Sequence, residues 1–161
     1  MRGPDPDIRS PEKHLRVDTH RTSPLPAGKV LVLFDGECHL CNGVVRFVIA
    51  RDAHDRFRFA PLQGDSGRRA CTAVGLELPE GVNPGTIVVI EGGVGMVRSD
   101  AVLAIAAQLP FPWSLLAVGR AVPRPVRDAL YRWVARNRYR WFGRSATCLV
   151  PSPRIRDRFL E

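Results

Sequence analysis

The spacing of apolar positions changes several times along the chain, and each change marks an element. Residues Lys29 to Phe34 read KVLVLF, a continuous run that predicts a strand covered on both faces and ends at Asp35-Gly36. Val44, Val45, Phe47, Val48 and Ile49 then recur at helical spacing and predict a first helix reaching about Ala53. Arg56 to Ala60 alternates with period two and stops at Pro61, as a half-buried second strand does. Asp65 or Ser66 is placed to cap a helix running to about Val74, with Gly75 after it. Thr86 to Glu91 and Val94 to Arg98 flank Gly92-Gly93, the composition of a tight hairpin. Ser99 is placed to cap a further helix through Leu109, with Val102, Leu103, Ile105 and Ala106 facing inward.

The resulting order is β-α-β-α-β-β-α, parallel in its first half and hairpin-joined in its second. That is an α/β chain with the core order of a thioredoxin-like fold, reached without use of any cysteine. Two more helical stretches, Trp113 to Val122 and Pro125 to about Phe142, make a C-terminal extension. The expected division is a disordered N-terminal tail over 1–28, the thioredoxin-like core over 29–110, the extension over 111–144 packed on the core, and a C-terminal tail over 145–161. The tail at 1–28 is rich in proline and mixed charge and has little apolar surface to offset the entropy of ordering it. A length of 161 residues suits one ordinary domain.

Ala101 to Val122 is the one stretch that resembles a membrane span, and Gln108, Pro110, Pro112 and Arg120 interrupt it well short of the ~20 apolar residues a bilayer needs. It is read instead as two buried helices separated by Pro-Phe-Pro, with peripheral membrane contact as the minor alternative. No apolar run near the N-terminus serves as a secretory signal, and the expected location is cytoplasmic, where thiols are kept reduced. Four cysteines in such a setting point to chemistry or metal rather than to structural staples.

Cys38-His39-Leu40-Cys41 places a CxxC pair at the junction of the first strand and first helix. There the first cysteine meets unpaired backbone N–H groups and the positive end of the helix dipole, which favours its thiolate, the nucleophilic form. Cys41, one turn inside the helix, is within reach of a mixed disulfide on Cys38 and suits a resolving role. His39, if protonated, lowers the energy of the Cys38 thiolate further; the plain alternative is a solvated loop histidine. Asp35, three residues before Cys38, either accepts a proton from a cysteine or orients the loop, as in an Asx-type turn with Gly36. Structural zinc needs four ligands, and Cys71, Cys148, His14, His20, His39 and His54 supply no second pair at ligand spacing. Neither a metal nor a cofactor is therefore called for. Cys71 reads as a small buried hydrophobe.

The run VLFDGECHLCNGVVRFVIARD, then FRFAPLQ, then the hairpin before RSDAVLAI, and finally YRWVARNRYRWFGR resemble the DCC family of thiol-disulfide oxidoreductases, named for its Asp-x-x-Cys-x-x-Cys motif. Asp35, Cys38 and Cys41 match that motif, and the resemblance covers roughly residues 29 to 160. It implies a thioredoxin-like fold and a disulfide-exchange activity. The expected substrate is a disulfide-containing protein or a low-molecular-weight thiol, with an external reductant or oxidant; the reductase direction is favoured, although the motif itself does not set direction. Thioredoxin-like enzymes usually carry a cis-proline before the third strand, facing the CxxC. Pro84, in Asn83-Pro84-Gly85-Thr86, lies one residue early for that position. Cys148 resembles a cysteine near the end of family members, either an extra resolving thiol or a packed one.

The formal net charge is +8, and from Arg124 to Arg144 seven arginines face a single acid, Asp128. This basic stretch carries the competing reading, a non-catalytic module for nucleic acid, anionic membrane or an acidic partner. Leu130, Trp133, Val134, Asn137 and Trp141 share one helical stripe, and Arg132, Arg136 and Arg140 another. That pattern is expected of a helix packed by its apolar stripe with the arginines in solvent, and it disfavours nucleic acid.

Overall fold

The computed structural model describes residues 28–76, 86–144, 153 and 155–160. Pro84, Cys148 and nearly all of the expected N-terminal tail lie outside the described residues. The elements are β1 (Val30–Phe34), α1 (His39–Arg51), β2 (Phe57–Pro61), α2 (Asp65–Ala73), β3 (Val88–Glu91), β4 (Val94–Val97), α3 (Arg98–Gln108), a 3-10 segment (Trp113–Ala121) and α4 (Arg124–Phe142). The four strands form one sheet in the order β2-β1-β3-β4. β1 runs parallel to β2 and antiparallel to β3, and β3 and β4 form the hairpin around Gly92-Gly93. This is a mixed α/β structure of thioredoxin-like build.

Every residue of β1 is buried, as its unbroken apolar run requires of a strand covered on both faces. Val30, Val32 and Phe34 pack with Val45 and Val48 of α1 and Ala101, Ala104 and Ile105 of α3. Leu31 and Leu33 point the other way and pack with Ala70 and Cys71 of α2. α2 crosses the end of β2 so closely that a Cβ on Gly67 would lie 2.2 Å from the Pro61 carbonyl oxygen, so a glycine is required there.

Two expected caps are replaced. α2 starts from Gly64, with neither Asp65 nor Ser66 as its cap, and α3 starts from Val97. Ser99 instead turns inward, and its hydroxyl donates to the Asp128 carboxylate of α4. Val102 of α3 is exposed, whereas Ala101 and Ala104, with little bulk, lie in the core. Leu103 packs against the 3-10 segment, where a Cβ on Gly119 would sit 3.1 Å from it.

The second of the two expected buried helices is absent. Trp113–Ala121 is a 3-10 segment with no buried residue, and Leu115, Leu116 and Val118 are exposed. The segment packs along α3 and meets α1 at Trp113. Its ring meets Phe47 edge-on at 4.8 Å, with the Arg51 guanidinium over both rings.

α4 packs against α3 and α1, but not by the expected stripe. Leu130, Trp133 and Trp141 are exposed, while Asp128 and Arg138 are buried. Polar partners waiting on the core side set this rotation. Asp128 receives Ser99, the Tyr131 hydroxyl accepts from the Ile87 N–H at 2.9 Å, and Arg138 reaches Asp35. Arg124 and Arg127 add ion pairs to Asp100 at the start of α3. The described part of the C-terminal stretch, read from sequence as a tail, lies along the outer edge of β2. Phe159 pairs with Phe59, and the Leu160 N–H donates to the Phe59 carbonyl at 2.8 Å.

Truncating Phe59, fully buried between Phe57 and Phe159, is expected to cost about 3–5 kcal/mol of unfolding free energy. Val118→Ala, on the exposed 3-10 segment, is expected to change it by less than about 0.5 kcal/mol. Urea titration of both variants measures the contrast, and equal losses would mean that the 3-10 segment is part of the core.

Candidate active site at the strand-to-helix junction

β1, an inner strand of the sheet, delivers Asp35 at its C-terminal end, and the turn that follows leads into α1. Asp35 is 0% exposed. Its Oδ1 accepts from the Glu37 N–H at 3.0 Å, the geometry of an Asx turn, and from the Gln63 side-chain amide at 2.8 Å. Asn42 pins the same loop by donating to the Gly36 carbonyl at 3.2 Å.

Cys38 is the N-cap residue of α1, and its Sγ accepts the Cys41 N–H at 3.4 Å. A sulfur in the place of a capping oxygen satisfies one of the helix's orphan donors and is best suited to that task when negatively charged. The Cys38 pKa is lowered to about 6, first by the hydrogen bond from the Cys41 side chain, then by the Cys41 backbone N–H and by the positive charge of Arg138; burial and the Asp35 carboxylate oppose the shift. Cys41 moves the other way, because its proton is held by Cys38 and its surroundings are desolvated. The pair is thus polarised into a thiolate at Cys38 and a thiol at Cys41. Both sulfurs are free thiols, as is buried Cys71, whose pKa burial pushes up to about 11.

Exposure runs against this polarisation. Cys38 is 0% exposed, whereas Cys41 is partly accessible. The cover includes the chain just beyond α4, where Arg144 pairs with Cys38 in an isolated antiparallel bridge. Gly143, at φ 78°, turns the chain into this bridge, and its position for a Cβ lies 3.6 Å from the His39 ring. His39 itself is the exposed first residue of α1.

Beneath the loop lies a polar cluster. The Arg138 guanidinium pairs with Asp35 Oδ2 at 3.1 Å, and the Tyr139 hydroxyl donates to the same oxygen. Arg138 also donates to the Tyr139 oxygen at 2.9 Å. Burial, with the neighbouring Asp35 carboxylate, raises the Tyr139 pKa to about 12, so the phenol keeps its proton to donate. The structure therefore gathers Asp35, Cys38 and Cys41 at one junction, with His39 at its rim. Gln63, Arg138 and Tyr139 are additions that residue-by-residue reading missed. Their only sequence signal is that they fall within FRFAPLQ and YRWVARNRYRWFGR, segments distant in the chain from the cysteines. Among the described residues, no group of three or more metal-ligating side chains gathers.

The family profile described as DCC1-like thiol-disulfide oxidoreductase matches residues 32–144. The chain belongs to the DCC1-like thiol-disulfide oxidoreductase family. The matched span begins inside β1 and ends on Arg144, so it contains the whole cluster from Asp35 to the bridge over Cys38. The uncharacterized protein YuxK of Bacillus subtilis (strain 168) is 41% identical over 130 residues, which cover 81% of this chain and 93% of that protein. A DCC family protein of Arabidopsis thaliana, described as chloroplastic, is 39% identical over 119 residues, covering 73% of this chain and 67% of that one. No solved structure matches the chain.

Asp35 and Arg138 act on Cys38 with opposite sign, so removing each charge moves the thiol in opposite directions. Arg138→Met is expected to raise the Cys38 pKa above its value of about 6 and Asp35→Asn to lower it. Each removes one partner of a buried ion pair, at a cost of about 3–5 kcal/mol of stability. Thiolate absorbance followed against pH in both variants checks the signs, and shifts in the same direction would show that the pair does not act through charge.

Proposed function

We propose that this family member catalyses thiol-disulfide exchange through Cys38 and Cys41, reducing disulfides of proteins or of small thiol compounds. The observation that carries this reading is the polarised pair at the start of α1, a sulfur held as thiolate by a helix N-terminus with a protonated partner one turn away.

In the first step the Cys38 thiolate attacks one sulfur of the substrate disulfide. A bond forms between Cys38 and that sulfur, and the other leaves as a thiolate. In the second step the Cys41 thiol gives up its proton and attacks Cys38, the mixed disulfide breaks, and the substrate's second sulfur takes the proton. The substrate has gained two electrons, and the enzyme has lost them to a Cys38–Cys41 disulfide. An external dithiol restores the reduced pair by the reverse exchanges. Because Cys38 is covered, attack requires the bridge between Cys38 and Arg144 to part.

Asp35 serves in this scheme as the loop orienter and the counter-charge of Arg138, through its bonds to Glu37, Gln63 and Arg138. His39 is placed to meet the substrate at the rim. A reducing compartment such as the cytoplasm suits the reductase direction, and the three described cysteines are all free thiols. A pKa near 6 keeps Cys38 reactive at neutral pH in either direction, since a stable thiolate is also a good leaving group.

With dithiothreitol as electron source, the wild-type protein is expected to reduce a protein disulfide, and Cys38→Ser to fall to the uncatalysed rate. Cys41→Ser should accumulate mixed disulfides through Cys38, and the captured thiols identify the substrates. A wild-type rate no higher than that of the double serine variant would overturn the proposal.

A further inference from the structure

The rotation of α4 leaves an apolar stripe in solvent. Val126, Leu130, Trp133 and Trp141 follow one another at four, three and eight residue steps on the face away from α1 and α3, and Trp133 meets Trp141 edge-on at 5.0 Å. Leu130 is 61% exposed and Trp133 51%. The preceding 3-10 segment adds Leu115 and, at 69% exposure, Val118. Large apolar side chains exposed together along one face of a helix mark a surface with a partner.

Charge selects among partners. Between Pro110 and Arg144 the sole acid is Asp128, and it is buried against Ser99, while Arg132, Arg136 and Arg140 stand exposed beside the apolar stripe. This surface therefore presents aliphatic and tryptophan side chains edged by cations, with no exposed carboxylate. A second copy would bring arginine against arginine, which opposes pairing. A nucleic acid matches the arginines but offers nothing to Leu115, Val118 and Leu130. A bilayer with anionic headgroups matches both. Arginines reach the phosphates, tryptophans sit at headgroup depth, and aliphatic side chains enter the acyl boundary.

We propose that the 3-10 segment and the outer face of α4 form a docking surface for anionic lipid bilayers, on which the protein lies without crossing. Among the described residues, no helix is long and apolar enough to span a membrane, which leaves docking at the interface. Trp141 lies three residues before Arg144, whose backbone pairs with Cys38, so docking holds the cysteine pair close to the membrane surface. The proposal stands apart from the redox chemistry, since neither cysteine takes part in it.

The test mixes the full-length protein with phosphatidylcholine vesicles and with vesicles containing phosphatidylglycerol as well, and reads co-sedimentation and tryptophan emission. Binding is expected to the anionic vesicles at least ~10-fold above the neutral ones, with a blue shift in emission, and to weaken steeply with salt. Leu130→Ser and, separately, the pair Arg132→Gln and Arg140→Gln should each weaken it by about 10-fold while leaving the rate of disulfide reduction intact. These are exposed positions, so the fold tolerates both changes. Absence of binding, equal binding to both vesicles, or variants that bind like the wild type would each overturn the proposal. So would a dimer or an oligonucleotide complex that depends on Leu130 in place of lipid binding.

Discussion

Asp35 follows β1 directly with its carboxylate out of contact with water, and Arg138 of α4 meets it at 3.1 Å. A buried pair of opposite charges contributes modest net stability, yet removal of either partner is severe, because the remaining charge has no water to turn to. The pair therefore fixes a geometry more than it strengthens a fold. It ties the loop before the cysteines to an element more than a hundred residues further along the chain. The rotation of α4 follows, with Asp128, Tyr131 and Arg138 turned to the core and Leu130, Trp133 and Trp141 to solvent. So does the path of the chain beyond α4, which Gly143 turns across Cys38.

The same pair enters the electrostatics of the sulfurs. Cys38 gains most from the hydrogen bonds of Cys41, side chain and backbone, and Arg138 adds a positive charge that Asp35 partly offsets. Had Asp35 lacked its arginine, a carboxylate near the cysteines would have opposed the thiolate outright. With Arg138 and the Tyr139 hydroxyl on its Oδ2, and Gln63 and Glu37 on its Oδ1, the carboxylate can serve as a structural post beside a nucleophile. The DxxCxxC spacing then has a physical meaning. The aspartate closes the turn and anchors the arginine, and the first cysteine caps the helix that the turn begins.

The sheet and its inner helices were legible because hydrophobic period decides them. A continuous run such as KVLVLF has few alternatives to a doubly covered strand, and the cysteine pair was legible because its position between strand and helix is local. Three features were not legible. Ser99 has the composition of a cap but finds a better partner in Asp128, which is distant in sequence. The stretch after Pro112 is apolar enough for a core helix, yet its place outside α3 leaves it as an exposed 3-10 segment. In α4 the hydrophobic stripe points one way and the partnered polar groups the other, and the polar groups prevail. Periodicity counts apolar residues and carries no information about which distant carboxylate or N–H awaits an arginine or a tyrosine.

The central claim is that position and charge make Cys38, although enclosed, the thiolate of the pair. Brief alkylation of the reduced protein with iodoacetamide at a series of pH values, with the modified cysteine located by mass spectrometry, tests it directly. The expected result is labelling of Cys38 with a midpoint near pH 6 while Cys41 stays unmodified through that range. Labelling of Cys41 first, or of Cys38 only near the ordinary thiol value of 9.0, would contradict it.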